Sequence, residues 1–423
     1  MSRGVSRAGD RRRVLTRGLV VLGLGFAVLA AGCGGGENGD SARTSTSPVS
    51  HERRDVGTQR SLAALIVSPV EPAVPFRGSD GSYLVSYELR LYNATPLTLA
   101  PARVSVSSPA GRSIERLDRR QVTAALALPG TRSGVGELHE GQLATLYLTL
   151  RFADRAAIPD RLVHRISVRA ARLPGGRAVS SPVSVKVLDA FDVPAPGPPL
   201  EAGRGYVAAD SCCSSVRHRR GLLAIGDRLW LAQRFAVDWE QVDSTRRFVR
   251  RGGDPAKPAD YTIYGARAIA AADATIVHVI DGLREQRPGA LPQGITLREA
   301  DGNSVVAKID DGLYMLYAHL QAGSLKVGVG DRVKRGDLLG LVGNSGNSSA
   351  PHLHFHVMDG PSPLTSEGVP YEIDAYATRG RLRSTAVLDA YENTTRPFDV
   401  LPFAGDGENR AQMPLDLTVV DFK

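Results

Sequence analysis

Between residues 61 and 188 apolar and polar positions alternate in short bursts: SLAALIVSPV, SYLVSYELRLYN, ARVSVSS, QLATLYLTLRF, HRISVRAARL and SPVSVKVLDA. A period of two places successive side chains on opposite faces of a strand. Segments of this length, bounded by Gly, Pro, Asn and Asp, predict an immunoglobulin-like β-sandwich over 62–190. His139 and His164 stand alone in it and suggest no chemistry. The run DVPAPGPPLEAGRG predicts a stiff Pro-rich linker over 191–205. Beyond it, over 206–400, strands recur between denser glycine turns, as in VGVGDRVKRGDLLGLVGNSGNSSA, and 401–423 reads as a β-rich packing tail. The expected fold class is all-β.

Composition supports this reading. A chain of 423 residues has room for two or three domains, and 45 Gly with 26 Pro against 6% aromatics favours turns and short strands. The formal charge of +8 suggests nucleic acid until it is located. Six of the Arg fall in residues 1–32 against one Asp, which leaves +3 for the rest (8 − 5), interspersed with acids. No basic stripe remains, so a nucleic-acid partner is not expected.

The first residues read as an address. A basic stretch ending at Arg17 precedes the uncharged run GLVVLGLGFAVLAAGC, too short and glycine-rich for a comfortable membrane span, so 1–32 is expected to be a signal peptide. Leu29-Ala30-Ala31-Gly32-Cys33 resembles a bacterial lipobox, which implies lipidation at Cys33 and a membrane partner through that anchor; secretion without the anchor is the alternative. Residues 33–61, rich in Gly, Ser, Thr and charge, are expected to form a flexible tether with a reach of roughly 30 Å.

The chemistry concentrates late in the chain, where four of the nine histidines lie between His319 and His356. In Pro351-His352-Leu353-His354-Phe355-His356 the histidines alternate with apolar residues, so on a strand all three share a face, where imidazoles divide naturally into metal ligand and base. Upstream, Tyr317-Ala318-His319-Leu320 carries another histidine on a second strand.

With GARAIAAADATIVHVID, YAHL, GDRVKRGDLLGLVGNSG and HLHFHV in this order, residues 262–358 resemble the lysostaphin/LytM-type zinc endopeptidases, bacterial enzymes that cut peptide cross-links in peptidoglycan. The resemblance implies one Zn2+ as cofactor, a peptidoglycan peptide as substrate, catalytic roles for His319 and His352, and zinc ligation by His354. It also implies a first ligand motif H-x-x-x-D. Here Asp238 matches the aspartate, but Arg234 stands in the histidine position and His356 where an acid or amide is usual. A guanidinium has no lone pair to offer a metal, so Arg234 either pairs with Asp238 and fills the site or swings outward and leaves room for another ligand.

A substitute is at hand. HRRGLLAIGDRLWLAQRF reads as a hairpin turning at Gly226-Asp227, and partners whose numbers sum to 453 put His218 opposite Phe235, beside Arg234. His218 is therefore a candidate third ligand; the alternative is an ordinary strand histidine. Cys212 and Cys213 are left to each other in an oxidising compartment, with thiolate ligation of the metal as the sharper alternative. Trp239, Tyr264 and Tyr317 are candidates for the groove or for the core. The functional expectation is a zinc-dependent endopeptidase; the alternative is a degenerate module that grips cell wall or activates another hydrolase.

Overall fold

The computed structural model describes residues 64–423 apart from 190, 214–216 and 311. The signal peptide, the tether and Cys33 lie outside the described residues. Strand accounts for 42% and helix for 7% of the structure, so the protein is all-β as expected. Among the described residues no helix is long and apolar enough to cross a membrane.

Among those residues the N-terminal region forms two five-stranded antiparallel sheets. Tyr83–Tyr92 and Leu143–Phe152 pair without interruption in the first, and Ala100–Ser107 and Arg161–Arg169 pair in the second. Val85, Tyr87, Leu89 and Leu91 point from the first sheet into a core shared with Val104 and Ile166 of the second, which makes a sandwich. The opposite face of Tyr83–Tyr92 would meet water in an isolated sandwich. Here it is covered: Leu84 and Phe76 belong to the core of the following region, and Tyr147 packs with Leu231. Burying each such side chain is worth about 1.5–3 kcal/mol.

The stretch predicted as a spacer is docked along that second region. Pro194 and Pro196 accept backbone hydrogen bonds from Glu372 and Asp374, Gly197 donates to Ala271, and a strand begins at Gly203. Proline removes its own donor but leaves carbonyls that neighbouring segments use.

The second region is built on an eleven-stranded sheet among the described residues. Its order is Arg332–Val333, Ala274–Ile280, Asn303–Asp310, Leu313–Leu320, Leu353–Met358, Val237–Gln241, Gly203–Ala209, Thr418–Phe422, Ile373–Arg381 and Gly407–Gln412, with Gly368–Val369 beside Leu353–Met358. The predicted tail thus supplies two strands to the sheet, one of them internal. One face, with Trp239, Tyr317 and Phe355, forms the main core. The other face is divided: Val207, Ala209, Leu388 and Phe398 form one apolar cluster, Val306, Leu316, Ala318 and Met358 another, and polar residues lie between them.

Candidate active site

The polar gap is set by strand register. Asp238 pairs directly with His354, and His354 pairs with Ala318 on the next strand. Alternation then puts Asp238 and Glu240 on the same face as His354 and His356, flanked by the two apolar clusters. Asp238 Oδ1 is 2.8 Å from His354 Nδ1 and 3.4 Å from His352 Nε2, while Asp238 Oδ2 is 3.2 Å from His218 Nε2. The carboxylate is the hub of three imidazoles.

Each surrounding ring is fixed by its other nitrogen. His218 Nδ1 lies 3.0 Å from Asp210 O and 3.3 Å from Ala236 O, His352 Nδ1 lies 2.8 Å from Ala350 O, and His319 Nδ1 lies 2.8 Å from Ser345 O. Carbonyls only accept, so Nδ1 carries a proton in all three rings; Nε2 of His218 and of His352 faces the Asp238 carboxylate, and Nε2 of His319 is left for the pocket. His354 is arranged the other way, with Nδ1 on Asp238 and Nε2 3.0 Å from His356 Nδ1. His319 sits in the left-handed region at φ 61°, with its N–H donated to Asp301 O and its carbonyl accepting from Gly343. Non-glycine residues in that region cluster at functional sites.

Gly346 has φ +75°, and a Cβ on it would come within 2.3 Å of Gly302 N. Glycine at this position lets the Asn344–Ser345 turn close against residue 302 and deliver Ser345 O to His319.

Burial would raise the Asp238 carboxyl, but His218 and His352 hold it well below the usual carboxylate range. Burial opposes a charged His218, yet Asp238 overrides it and pushes the ring up to about 9. His352 is raised by Asp238 against burial in the same way. His319 moves well below its ordinary value through burial and the neighbouring His352 and His354, as does His356 through burial and His354. The rings of His319 and His352 lie 4.7 Å apart, so two adjacent imidazoles are pushed in opposite directions.

Two sets of donor atoms lie within 4.8 Å of one another: His218, Asp238 and His354, and His319, His352 and His354. The first is a two-imidazole, one-carboxylate set with both ring orientations secured from behind, which suits zinc. The structure therefore brings together all five predicted site residues, His218 included. Arg234 is turned away, its Nη1 3.1 Å from Glu88 Oε2; of the two options weighed for it, pairing with Asp238 is not what the structure adopts. Cys212 and Cys213 are joined to each other and are not part of either donor set, so thiolate ligation is corrected. Trp239 and Tyr317 are core, and Tyr264 is half-buried against Val249 and Tyr261.

The surrounding pocket, of about 300 Å³, has walls that sequence reasoning missed: Glu240, Asp301 and Glu392, together with Arg132 from the sandwich. Burial pushes Asp301 up to about 7 and, chiefly, Glu392 to about 7 as well. Glu240 was within reach of the period-two argument, two residues from Asp238 on the same strand face; the others come from distant loops.

The model of peptidase family M23 matches residues 260–366. Glycyl-glycine endopeptidase ALE-1 of Staphylococcus capitis is 32% identical over 129 residues, 25% of this chain and 35% of that protein. DD-carboxypeptidase/endopeptidase Mpg of Neisseria meningitidis serogroup B is 34% identical over 93 residues, 19% of this chain and 21% of that protein. The chain thus spans about a third or less of the length of these curated relatives. Among solved structures, the catalytic domain of the antimicrobial peptidase lysostaphin from Staphylococcus simulans aligns at 22% identity over 40% of this chain and 88% of that one, with a TM-score of 0.22. From the family match, residues 260–366 of this chain are a peptidase family M23 domain.

Proposed function

We propose that the protein is a zinc-dependent endopeptidase that cleaves peptide cross-links of peptidoglycan, exported and held at the membrane through Cys33. The observation that carries the catalytic reading is the convergence of His218, Asp238 and His354 donor atoms beside the His319–His352 pair. The chain's similarity to a glycyl-glycine endopeptidase and to a DD-carboxypeptidase/endopeptidase supports the substrate class.

In this reading His218 Nε2, Asp238 and His354 Nδ1 hold one zinc ion. Zinc, when bound, supplies a Lewis acid for the scissile carbonyl and lowers the pKa of a water molecule. His319 and His352 present their Nε2 atoms to the pocket from rings whose Nδ1 protons are committed to Ser345 O and Ala350 O. One Nε2, unprotonated, takes the proton of the attacking water; the other, protonated, donates to the developing oxyanion and gives its proton to the departing amine. Passing one proton from the first ring to the second resets the pair of general base and general acid. The buried floor limits solvent around the reacting groups: His354 and His356 are 2% and 0% exposed.

Arg234 in place of a ligand histidine favours a degenerate wall-binding module; His218 beside Asp238 supplies the missing imidazole and favours the enzyme. Digestion of purified peptidoglycan tests the proposal: new amino termini released by the zinc-loaded protein and suppressed by a chelator support it, whereas wall binding without bond cleavage supports the module instead.

A further inference from the structure

Glu88 lies in the middle of Tyr83–Tyr92, on the sandwich face that an isolated sandwich would expose, yet it is 1% exposed. A carboxylate is costly to bury without partners. Glu88 has two. Its Oε1 accepts from Arg219 Nε at 3.1 Å and its Oε2 from Arg234 Nη1 at 3.1 Å.

Arg219 has five N–H donors, and all five are used. Besides Glu88, they reach Thr149 Oγ1 at 2.7 Å and Leu148 O at 2.7 Å, Tyr87 O at 3.2 Å, and Cys213 O at 3.0 Å. Four of these five acceptors belong to the sandwich. Arg234 also donates from Nε to Gly368 O at 2.8 Å.

The two arginines border the metal-site residues in sequence. Arg219 follows His218 directly. Arg234 stands two residues before Ala236, whose carbonyl faces His218 Nδ1, and four before Asp238. One carboxylate from the sandwich thus ties both segments whose side chains meet at the proposed ion. Adhesion alone does not need it: the apolar contacts of Ala127 and Tyr147 with Leu231 already join the regions, and apolar residues replace buried ion pairs at little loss of stability. A charged fork with every donor committed contributes direction instead.

We infer that Glu88 is a positioning residue for the metal site, fixing His218 and Asp238 through Arg219 and Arg234, so that the N-terminal sandwich is a structural part of the catalytic centre. The inference rests on the reading of His218 as a zinc ligand. It also gives Arg234 a purpose: the position holds a ligand's support where the family's motif has the ligand.

The test is zinc affinity of the full chain, measured by competition with a chromophoric chelator, together with the visible spectrum of the cobalt-substituted protein. E88Q and the charge-conserving R219K are compared with E71Q, which weakens the Glu71–Arg228 pair, 3.0 Å across the same junction but with neither residue on the pocket wall. Expected are a zinc Kd raised about tenfold or more in E88Q and R219K, an altered cobalt spectrum in both, and no change in E71Q. Should E88Q fail to fold, R219K decides. Wild-type zinc affinity in folded E88Q or R219K overturns the inference, as does an equal loss in E71Q. H218A separates the two claims: if it keeps wild-type affinity, the ligand reading itself falls; if it loses zinc while E88Q does not, only the positioning role falls.

Discussion

His164 of the sandwich and the site histidines His218, His319 and His352 of the second region are all buried or nearly so, and they are buried differently. His164 is 0% exposed, with Nε2 2.7 Å from Tyr87 Oη and Nδ1 3.2 Å from Val183 O. Burial pulls it down to about 4, and both nitrogens are occupied by neutral groups of the sandwich. His218, His319 and His352 each commit only Nδ1 to a carbonyl, and two of the three aim Nε2 at one carboxylate. Burial and residue type are shared. What distinguishes a site from a core is a second nitrogen left over and aimed at a common point.

The largest effect should come from that common point. Replacing Asp238 with Ala removes a ligand and the hub of three rings, and is expected to abolish stoichiometric zinc and to lower peptidoglycan cleavage by at least about a thousandfold, read by metal analysis and by release of amino termini. His319→Ala should separate chemistry from binding. It leaves all three proposed ligands in place, so zinc remains at one per chain while kcat falls by about 10²–10⁴, the usual contribution of a general acid or base. If both variants lose zinc together, the division into ligands and proton carriers is wrong.

The two regions should also respond oppositely to pH. In the metal-free protein His218 is raised to about 9 from an ordinary 6.5. Its folded pKa is the higher one, so the stability it contributes is fully present below about 6.5 and is lost as pH rises through about 9, amounting to about 3 kcal/mol. Urea midpoints of chelated protein should therefore fall between these values in the wild type and fall less in His218→Ala. His164, lowered by burial, has the reverse sign: its contribution is present above about 6.5 and is lost on acidification toward about 4. The smallest effect is expected from Tyr87→Phe, which leaves His164 Nε2 without its hydroxyl partner. It should destabilise the fold by about 1–3 kcal/mol in urea melts and leave zinc content and turnover unchanged.

Much of the site could be read in the sequence because it obeys local rules. Strand alternation puts His352, His354 and His356 on one face, and the hairpin register was sound where the hairpin exists: Leu223↔Trp230, Ala224↔Leu229 and Ile225↔Arg228 all sum to 453. The ladder stops there, however. His218 reaches Asp238 from the turn that precedes it, held by Asp210 O and Ala236 O, and not from a paired strand. What local rules cannot carry is partnership across long separations. Glu88 looks like an outward polar position of a sandwich strand, and its arginines lie 131 and 146 residues away. Glu392, on the pocket wall, follows a helix in a segment where the sequence offered no chemistry. The Pro-rich stretch read as a spacer because composition reports stiffness, and composition does not reveal which carbonyls a neighbouring strand will use.

The most direct test is anomalous diffraction at the zinc edge from crystals of the zinc-loaded protein. A single peak at about 2.0–2.2 Å from His218 Nε2, an Asp238 oxygen and His354 Nδ1 is the predicted result. No peak among these atoms, or an ion held there while His218 points elsewhere, would contradict the account.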